Sequence, residues 1–391
     1  MVGKELSAEL TIRKFVIPEF VFGVDAIKLT GKYSQNFGAR RVLVVTDNGV
    51  ISHGWTEKVC DVLKDSHISH CIFSGLTENP KDYEVMQGVD FYKSEGCDVI
   101  VAVGGGSVLD CAKGIAIVSS NGGDIKDFEG VDKVTKPMPP LICIPTTAGS
   151  SADVSQFAII TDTKRMLKFA IISKTIIPDV ALIDPVTTTT MDRELTAHTG
   201  LDALCHAFEA FVSVAHSPIT DLHALYAIRL IFDNLPHAIN NPDNLDYRGA
   251  IMLGSLSAGL AFSNASLGLV HAMAHAIGAL LNIPHGCCNA HLLPLIVRYN
   301  FDSAPDRYRQ IAHSLDITKD DMSDDDVLSK LDMALLELLQ RCGINLGLGK
   351  YGLSSQHIPS LAEYAINDPC IVTNPKIPTV KDIIQLYESA I

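Results

Sequence analysis

Asp98-Val-Ile-Val-Ala-Val-Gly-Gly-Gly-Ser107-Val-Leu-Asp-Cys-Ala-Lys113 is the stretch that decides the architecture. Its opening, Asp98 to Val103, is an apolar run with no polar residue at every second position, so the strand it forms is buried on both faces. Three glycines and a serine follow, and a helical segment starts near Val108. A doubly buried strand turning tightly into a helix belongs to a parallel sheet with helices on both sides. Glycines also let the backbone approach a phosphate, and a helix start offers N–H groups and the positive end of its dipole. On that reading Ser107 and the backbone of Gly105 and Gly106 contact a diphosphate; the plain alternative is a turn without a ligand. The spacing is not Gly-x-Gly-x-x-Gly, so the common dinucleotide fingerprint is absent.

Working outward, the same alternation fills the first half. Arg41–Asp47, His70–Phe73 and Pro140–Pro145 read as further strands, and Ile177–Pro185 closes the series. Amphipathic helices are expected at Trp55–Lys64 and Glu84–Glu95. After about Pro185 strand signals vanish and long apolar helical stretches run to the C-terminus, with Thr187–Thr190 as a polar joint. The expectation is an α/β dinucleotide-binding domain over 1–186, with a parallel, Rossmann-like sheet. An all-α metal-binding and catalytic domain follows over 187–391, with a site in the cleft between the two.

Composition agrees. A chain of 391 residues that is 47% hydrophobic and 19% charged can bury large cores and is not disordered. A net charge of −14 argues against nucleic acid or an anionic membrane surface as partner. The ten cysteines include no Cys-x-x-Cys pair, which disfavours a zinc ribbon or a thioredoxin-type dithiol. Lys4–Lys14 carries five charged residues and no apolar core, so no secretory leader is expected and the cytoplasm is the default. No Asp, Glu, Lys or Arg lies between Arg248 and Arg298, but Asn264, His271, His275, Pro284, His285 and Asn289 interrupt that stretch. A bilayer span tolerates few of these, so it reads as core helices of a soluble protein.

Four further features carry chemistry. Pro145-Thr146-Thr147-Ala148-Gly149-Ser150-Ser151 places hydroxyls and a glycine after a strand, where α/β sheets bind ligands. Asp47, after the strand Val42–Thr46, could accept bonds from ribose hydroxyls and would repel a 2′-phosphate; the alternative is a turn-forming Asp in Asp47-Asn48-Gly49. Asp202 and His206 stand at i, i+4, on one face of one helix, as do His271 and His275. His285 lies in a Pro-His-Gly turn. A carboxylate and several imidazoles in apolar surroundings suit a divalent transition metal.

Gly268-Leu-Val-His-Ala-Met-Ala-His-Ala-Ile-Gly278, then Pro284-His-Gly286 and Asn289-Ala290, closely resembles the signature of the iron-containing (group III) alcohol dehydrogenases. The resemblance extends to Gly104–Lys113, Pro145–Gly149, Gly200–His206 and Asn374-Pro375, and so spans nearly the whole chain. It implies a metal held by Asp202, His206, His271 and His285, with His275 near the nicotinamide as a proton relay. It carries NAD contacts onto Asp47, Asn79, Gly104, Gly105, Gly106, Ser107, Asp110, Thr146, Thr147, Gly149 and Lys168. Gly149-Ser-Ser-Ala-Asp153 departs from the pattern of many relatives, which have a Glu where Asp153 stands. His291 has no role in the motif and reads as structural.

The resemblance implies oxidation of a small primary alcohol or diol to the aldehyde, or the reverse, by hydride transfer to NAD at a divalent metal. Iron(II) is expected, and zinc, manganese or nickel suits the same donors. A homodimer or higher homo-oligomer acting on a small molecule is expected. Glycerol dehydrogenases and dehydroquinate synthases share the general fold, but the synthases use a Glu metal ligand. A rival of another class is a metal- and nucleotide-binding regulatory protein that has lost turnover. Substrate would meet apolar side chains such as Phe262 and the Ile159 region, which do not encode one alcohol.

Overall fold

The computed structural model describes residues 14–391 apart from Met166, Asn282 and Asp320. The leader expectation concerns residues before Lys14 and so lies almost wholly outside them. The described chain forms two compact units, one of residues 17–196 with 241–252, the other built mainly of 197–240 and 253–391.

The first unit holds nine strands: β1 (Glu19–Phe22), β2 (Arg41–Val45), β3 (Ser69–Phe73), β4 (Val99–Gly104), β5 (Gly130–Val131), β6 (Leu141–Pro145), β7 (Phe157–Asp162), β8 (Leu167–Ile172) and β9 (Val180–Ile183). Six form one parallel sheet in the order β1-β9-β6-β4-β2-β3. The two-residue alternation of a strand splits the apolar runs between two cores. Val42, Val44, Val99, Val101, Ile142 and Ile144 face one side, with Trp55, Val59 and Leu63 of the helix Trp55–Asp65 packed on them. Leu43, Val45, Ile100, Ala102 and Leu141 face the other. There they meet Val85 and Val89 of the helix Asp82–Ser94, and Leu109, Ala112 and Ile115 of the helix Gly106–Asn121. The parallel sheet covered on both faces is therefore as the central strand predicts.

Two features were not foreseen. β1 pairs with β9 at the sheet edge, where Phe20 and Phe22 stay over a third exposed, so its sequence lacks a fully buried run. β7 and β8 pair antiparallel and join β5 in a separate three-stranded sheet.

The division between units falls at Thr196, where a break after Val186 was expected. Side-chain bonds explain why the joint stays with the sheet. Thr187 Oγ1 donates to Pro145 O at 2.7 Å, and Trp55 Nε1 donates to Thr190 Oγ1 at 2.9 Å. Buried Arg248 binds Thr196 Oγ1 at 2.8 Å, Met191 O at 3.1 Å and Pro242 O at 2.8 Å, which ties 241–252 to the same unit.

The described part of the second unit is helical, led by Arg193–Val212, Pro218–Asn240, Leu245–Ala265, Leu269–Leu281 and His285–Asn300, the first and third shared with the sheet unit at their N-terminal ends. No single described helix is long and apolar enough to cross a membrane. Leu245–Ala265 and Leu269–Leu281 reach that length only as a pair, bent by 101°.

Candidate active site

The first expected group gathers at the C-terminal ends of β4 and β6. These strands are neighbours in register, with Gly104 opposite Pro145, so their two loops start side by side. Thr146 N donates to Gly104 O at 3.0 Å. A Cβ on Gly105 would stand 3.2 Å from Thr147 Cγ2, and one on Gly106 would stand 2.6 Å from Ser150 Oγ. The two loops thus touch at these glycines, beside the start of a 16-residue helix. Asn79, held at φ 55, links two other expected residues: its N–H donates to Ser107 Oγ at 3.2 Å, and its Oδ1 accepts from Lys168 Nζ at 2.7 Å.

Three expected contacts have partners within the chain. Asp47 Oδ1 accepts from Val50 N at 2.9 Å and caps the short helix Asn48–Ser52, so the turn-former reading holds for that oxygen. Asp110 Oδ2 accepts from Ile159 N at 3.1 Å, and burial pushes this carboxyl up to about 6. Gly149 O accepts from Ser151 Oγ at 3.3 Å.

The second group lies wholly within the helical unit. Asp202 and His206 share one face of Arg193–Val212, His271 opens Leu269–Leu281, and His285 is the first residue of His285–Asn300. His285 therefore sits at a helix start after the N-cap Pro284, where a turn was expected. Asp202 Oδ1 lies 3.9 Å from His206 Nε2 and 3.8 Å from both His271 Nε2 and His285 Nε2. Two ligands on one ion with bonds of about 2.1 Å stand roughly 3.4 Å apart in tetrahedral geometry, so the set is open by a few tenths of an ångström.

The donor set itself asks for a cation. His271 Nδ1 lies 2.5 Å from Glu209 Oε2; a proton there leaves Nε2 as an acceptor. Asn289 Nδ2 stands 2.6 Å from Asp202 Oδ1, 3.1 Å from His271 Nε2 and 3.2 Å from His285 Nε2. One amide nitrogen carries two hydrogens, so it cannot serve three acceptors. The buried Asn289 Oδ1 has no partner among the described residues. Burial favours the neutral acid at Asp202, yet His206, His271 and His285 hold it far below the usual carboxylate range. Burial also opposes charge on His271, but Glu209 and then Asp202 lift its pKa to about 9, so these two carboxylates draw a cation, proton or metal ion, to this ring. Lone pairs and negative charge converge there, and the residues fit a divalent metal.

His275 stands one turn beyond His271, and its ring stacks on His285 at 5.2 Å. Its Nδ1 lies 2.8 Å from Asp368 Oδ2. Cys370 is close to this pair, but burial drives its thiol pKa well above the ordinary value, which disfavours the thiolate a metal prefers. Phe262 stacks on His206 at 4.3 Å, whereas Ile159 lies in β7 of the other unit. His291 is buried, and burial pushes its pKa down to about 4. Glu209, Asn289 and Asp368 were not foreseen as site residues. Glu209 had a signal, since 202, 206 and 209 follow the i, i+4, i+7 pattern of one helix face. Asp368 is 93 residues from His275 and had none.

A parallel sheet with glycine loops at its strand ends and a helical unit with an Asp-His-His-His cluster define a class, the metal-dependent dehydrogenases. A family model described as iron-containing alcohol dehydrogenase matches residues 18–185, and one for the C-terminal part of that family matches 196–391. The chain belongs to the iron-containing alcohol dehydrogenase family and is an enzyme of that type. It is 38% identical to the 1,3-propanediol dehydrogenase of Citrobacter freundii, over 94% of this chain and 96% of the relative. It is 36% identical to the NAD-dependent methanol dehydrogenase of Bacillus methanolicus, over 96% of this chain and 99% of the relative. A 1,3-propanediol oxidoreductase crystal structure superposes with a TM-score of 0.95 at 37% identity, covering 97% of this chain and 100% of that one. The reading as a regulatory protein without turnover is not favoured.

Proposed function

We propose that this chain oxidises a small primary alcohol or diol to the aldehyde with NAD, and runs the reverse reduction, at a divalent ion held by Asp202, His206, His271 and His285. The observation that carries the reading is the convergence of three Nε2 atoms on Asp202 Oδ1, with that oxygen and the His271 and His285 nitrogens crowded on one Asn289 amide nitrogen. Bound there, the ion supplies Lewis acidity to the alcohol oxygen and lowers the cost of losing its proton. One carboxylate with three imidazoles suits iron(II), in keeping with the family description, and also zinc, manganese or nickel.

The chain supplies the rest. A proton on His275 Nδ1 directed at Asp368 leaves Nε2 with its lone pair, so the ring can take a proton from the reacting alcohol and pass it on. Phe262 beside His206 gives the donor set an apolar wall suited to a small substrate. Gly104, Gly105, Gly106 and Ser107 with Thr146, Thr147 and Gly149 receive the diphosphate, and Asn79, Lys168 and Asp110 complete that side. Asp47 Oδ2 faces the ribose hydroxyls, and a 2′-phosphate beside it costs on the order of 1 kcal/mol. The test is metal-replete protein, NAD or NADP, and a panel of short alcohols and diols, read by nicotinamide absorbance. NAD reduction with at least one short alcohol, well above NADP reduction, is expected. No turnover in either direction would overturn the function; equal use of NADP would overturn the role of Asp47.

A further inference from the structure

Glu209 is a buried carboxylate, only 4% exposed, on the helix that carries Asp202 and His206. Its two oxygens serve two positions of the His271 helix. Oε2 lies 2.5 Å from His271 Nδ1, and Oε1 accepts from Val270 N at 2.6 Å. The neighbouring N–H, Leu269 N, donates to Asn374 Oδ1 at 3.1 Å. Asn374 is fixed in turn by a reciprocal amide pair with Asn300, at 2.9 and 2.8 Å. Two remote side chains thus take the first N–H groups of this helix, where an anionic oxygen is also favoured by the helix dipole. The fit is tight. A Cβ on Gly268 would stand 2.8 Å from Asn374 Oδ1 and 3.0 Å from Glu209 Oε1.

We infer that Glu209 is the positioning residue of the metal centre: it fixes the ring of His271 and keeps its proton on Nδ1, so that Nε2 always faces Asp202. This rests on the reading of Asp202, His206, His271 and His285 as the metal set. An imidazole free to turn about its side-chain bonds presents either nitrogen; one hydrogen-bonded through Nδ1 to a carboxylate presents only Nε2, and as a stronger donor to a metal. Because Glu209 shares a helix with Asp202 and His206, the bond also sets the height of the His271 helix against two other ligands. Glu209 touches no reacting atom on this account and acts through His271 alone.

The test is the zinc affinity of the full-length protein, by chelator competition, with the melting temperature of the metal-free form measured alongside. Glu209→Gln keeps the size and an oxygen for Val270 N but loses the charge. It is expected to bind zinc about 10–100-fold more weakly than wild type. Its metal-free melting temperature should stay close to that of wild type, and Glu209→Asp should recover part of the affinity. If wild type binds one equivalent and Glu209→Gln binds it equally well, the proposal fails while the metal site stands. If wild type binds no zinc, the metal reading itself fails. Should Glu209→Gln not fold, nitrogen NMR of the zinc-loaded wild type decides. A slowly exchanging proton on Nδ1 of His271 is expected, and coordination through Nδ1 would overturn the proposal.

Discussion

His271 and His275 are one turn apart on one helix, yet their partners separate their tasks. His271 Nε2 faces Asp202 Oδ1 at 3.8 Å, while His275 is engaged with Asp368. His271→Ala should therefore strip the metal and abolish turnover while NAD still binds. Metal analysis and NAD titration check this, and full metal content would defeat the assignment. His275→Ala should keep the metal and lose about 10²–10⁴-fold in kcat, the usual worth of general acid–base help, with an altered pH profile. Loss of metal with normal NAD binding would make His275 a ligand. The histidines were legible because i, i+4 spacing in a chargeless segment is a local signal. Asp368 and Asn289 were not, since their roles arise only when distant helices meet, and an Asp or Asn alone says nothing of what it faces.

Among the elements, the start of the His285 helix is the tightest joint of the site. A Cβ on Gly286 would stand 2.2 Å from the backbone oxygen of His198, one turn before Asp202 on its own helix. Backbone cannot yield as a side-chain tip does, so the glycine in Pro284-His-Gly286 is there to let two ligand-bearing helices close. Gly286→Ala should cost about 1–3 kcal/mol in denaturant unfolding and weaken metal binding together. Unchanged affinity would show that the helices tolerate the shift. In the sheet unit, Lys113 is fully buried and its Nζ donates to Ser155 O at 2.8 Å and Phe157 O at 2.7 Å. Burial lowers its pKa, and Asp110, Cys143 and Asp153 oppose that shift. Burial lifts Asp110 and Asp153 to about 6. An unfolded aspartate ionises near pH 4, at about 3.9. Between those values these two carboxyls hold protons in the folded state that the unfolded state has lost, so their contribution to stability falls as pH rises from about 4 to about 6 and then levels. Relative to wild type, Asp153→Asn should gain in urea midpoint as pH rises from about 4 to about 6; a pH-independent difference would mean that Asp153 is ionised throughout.

At the level of the whole molecule, the strands read most plainly were those buried on both faces, because their apolar runs have no other use in a chain this size, although the partly exposed edge strand β3 was read too. β4, β2 and β6 were legible for that reason, and the half-exposed edge strand β1 was not. The joint after Val186 stays with the sheet unit because Arg248, Trp55 and Thr187 hold it there through side-chain bonds. No periodicity announces such bonds. The glycine loops and the donor set each lie within one unit, and the proposed chemistry requires both: NAD proposed at the strand ends of β4 and β6, and an alcohol proposed at Asp202, His206, His271 and His285. The most direct measurement follows hydride transfer and metal content in the same preparation. Wild-type protein carrying about one divalent ion per chain should reduce NAD with a short primary alcohol or diol, lose activity when a chelator removes the ion, and regain it on reloading. Turnover unchanged in protein shown to be metal-free would contradict the account.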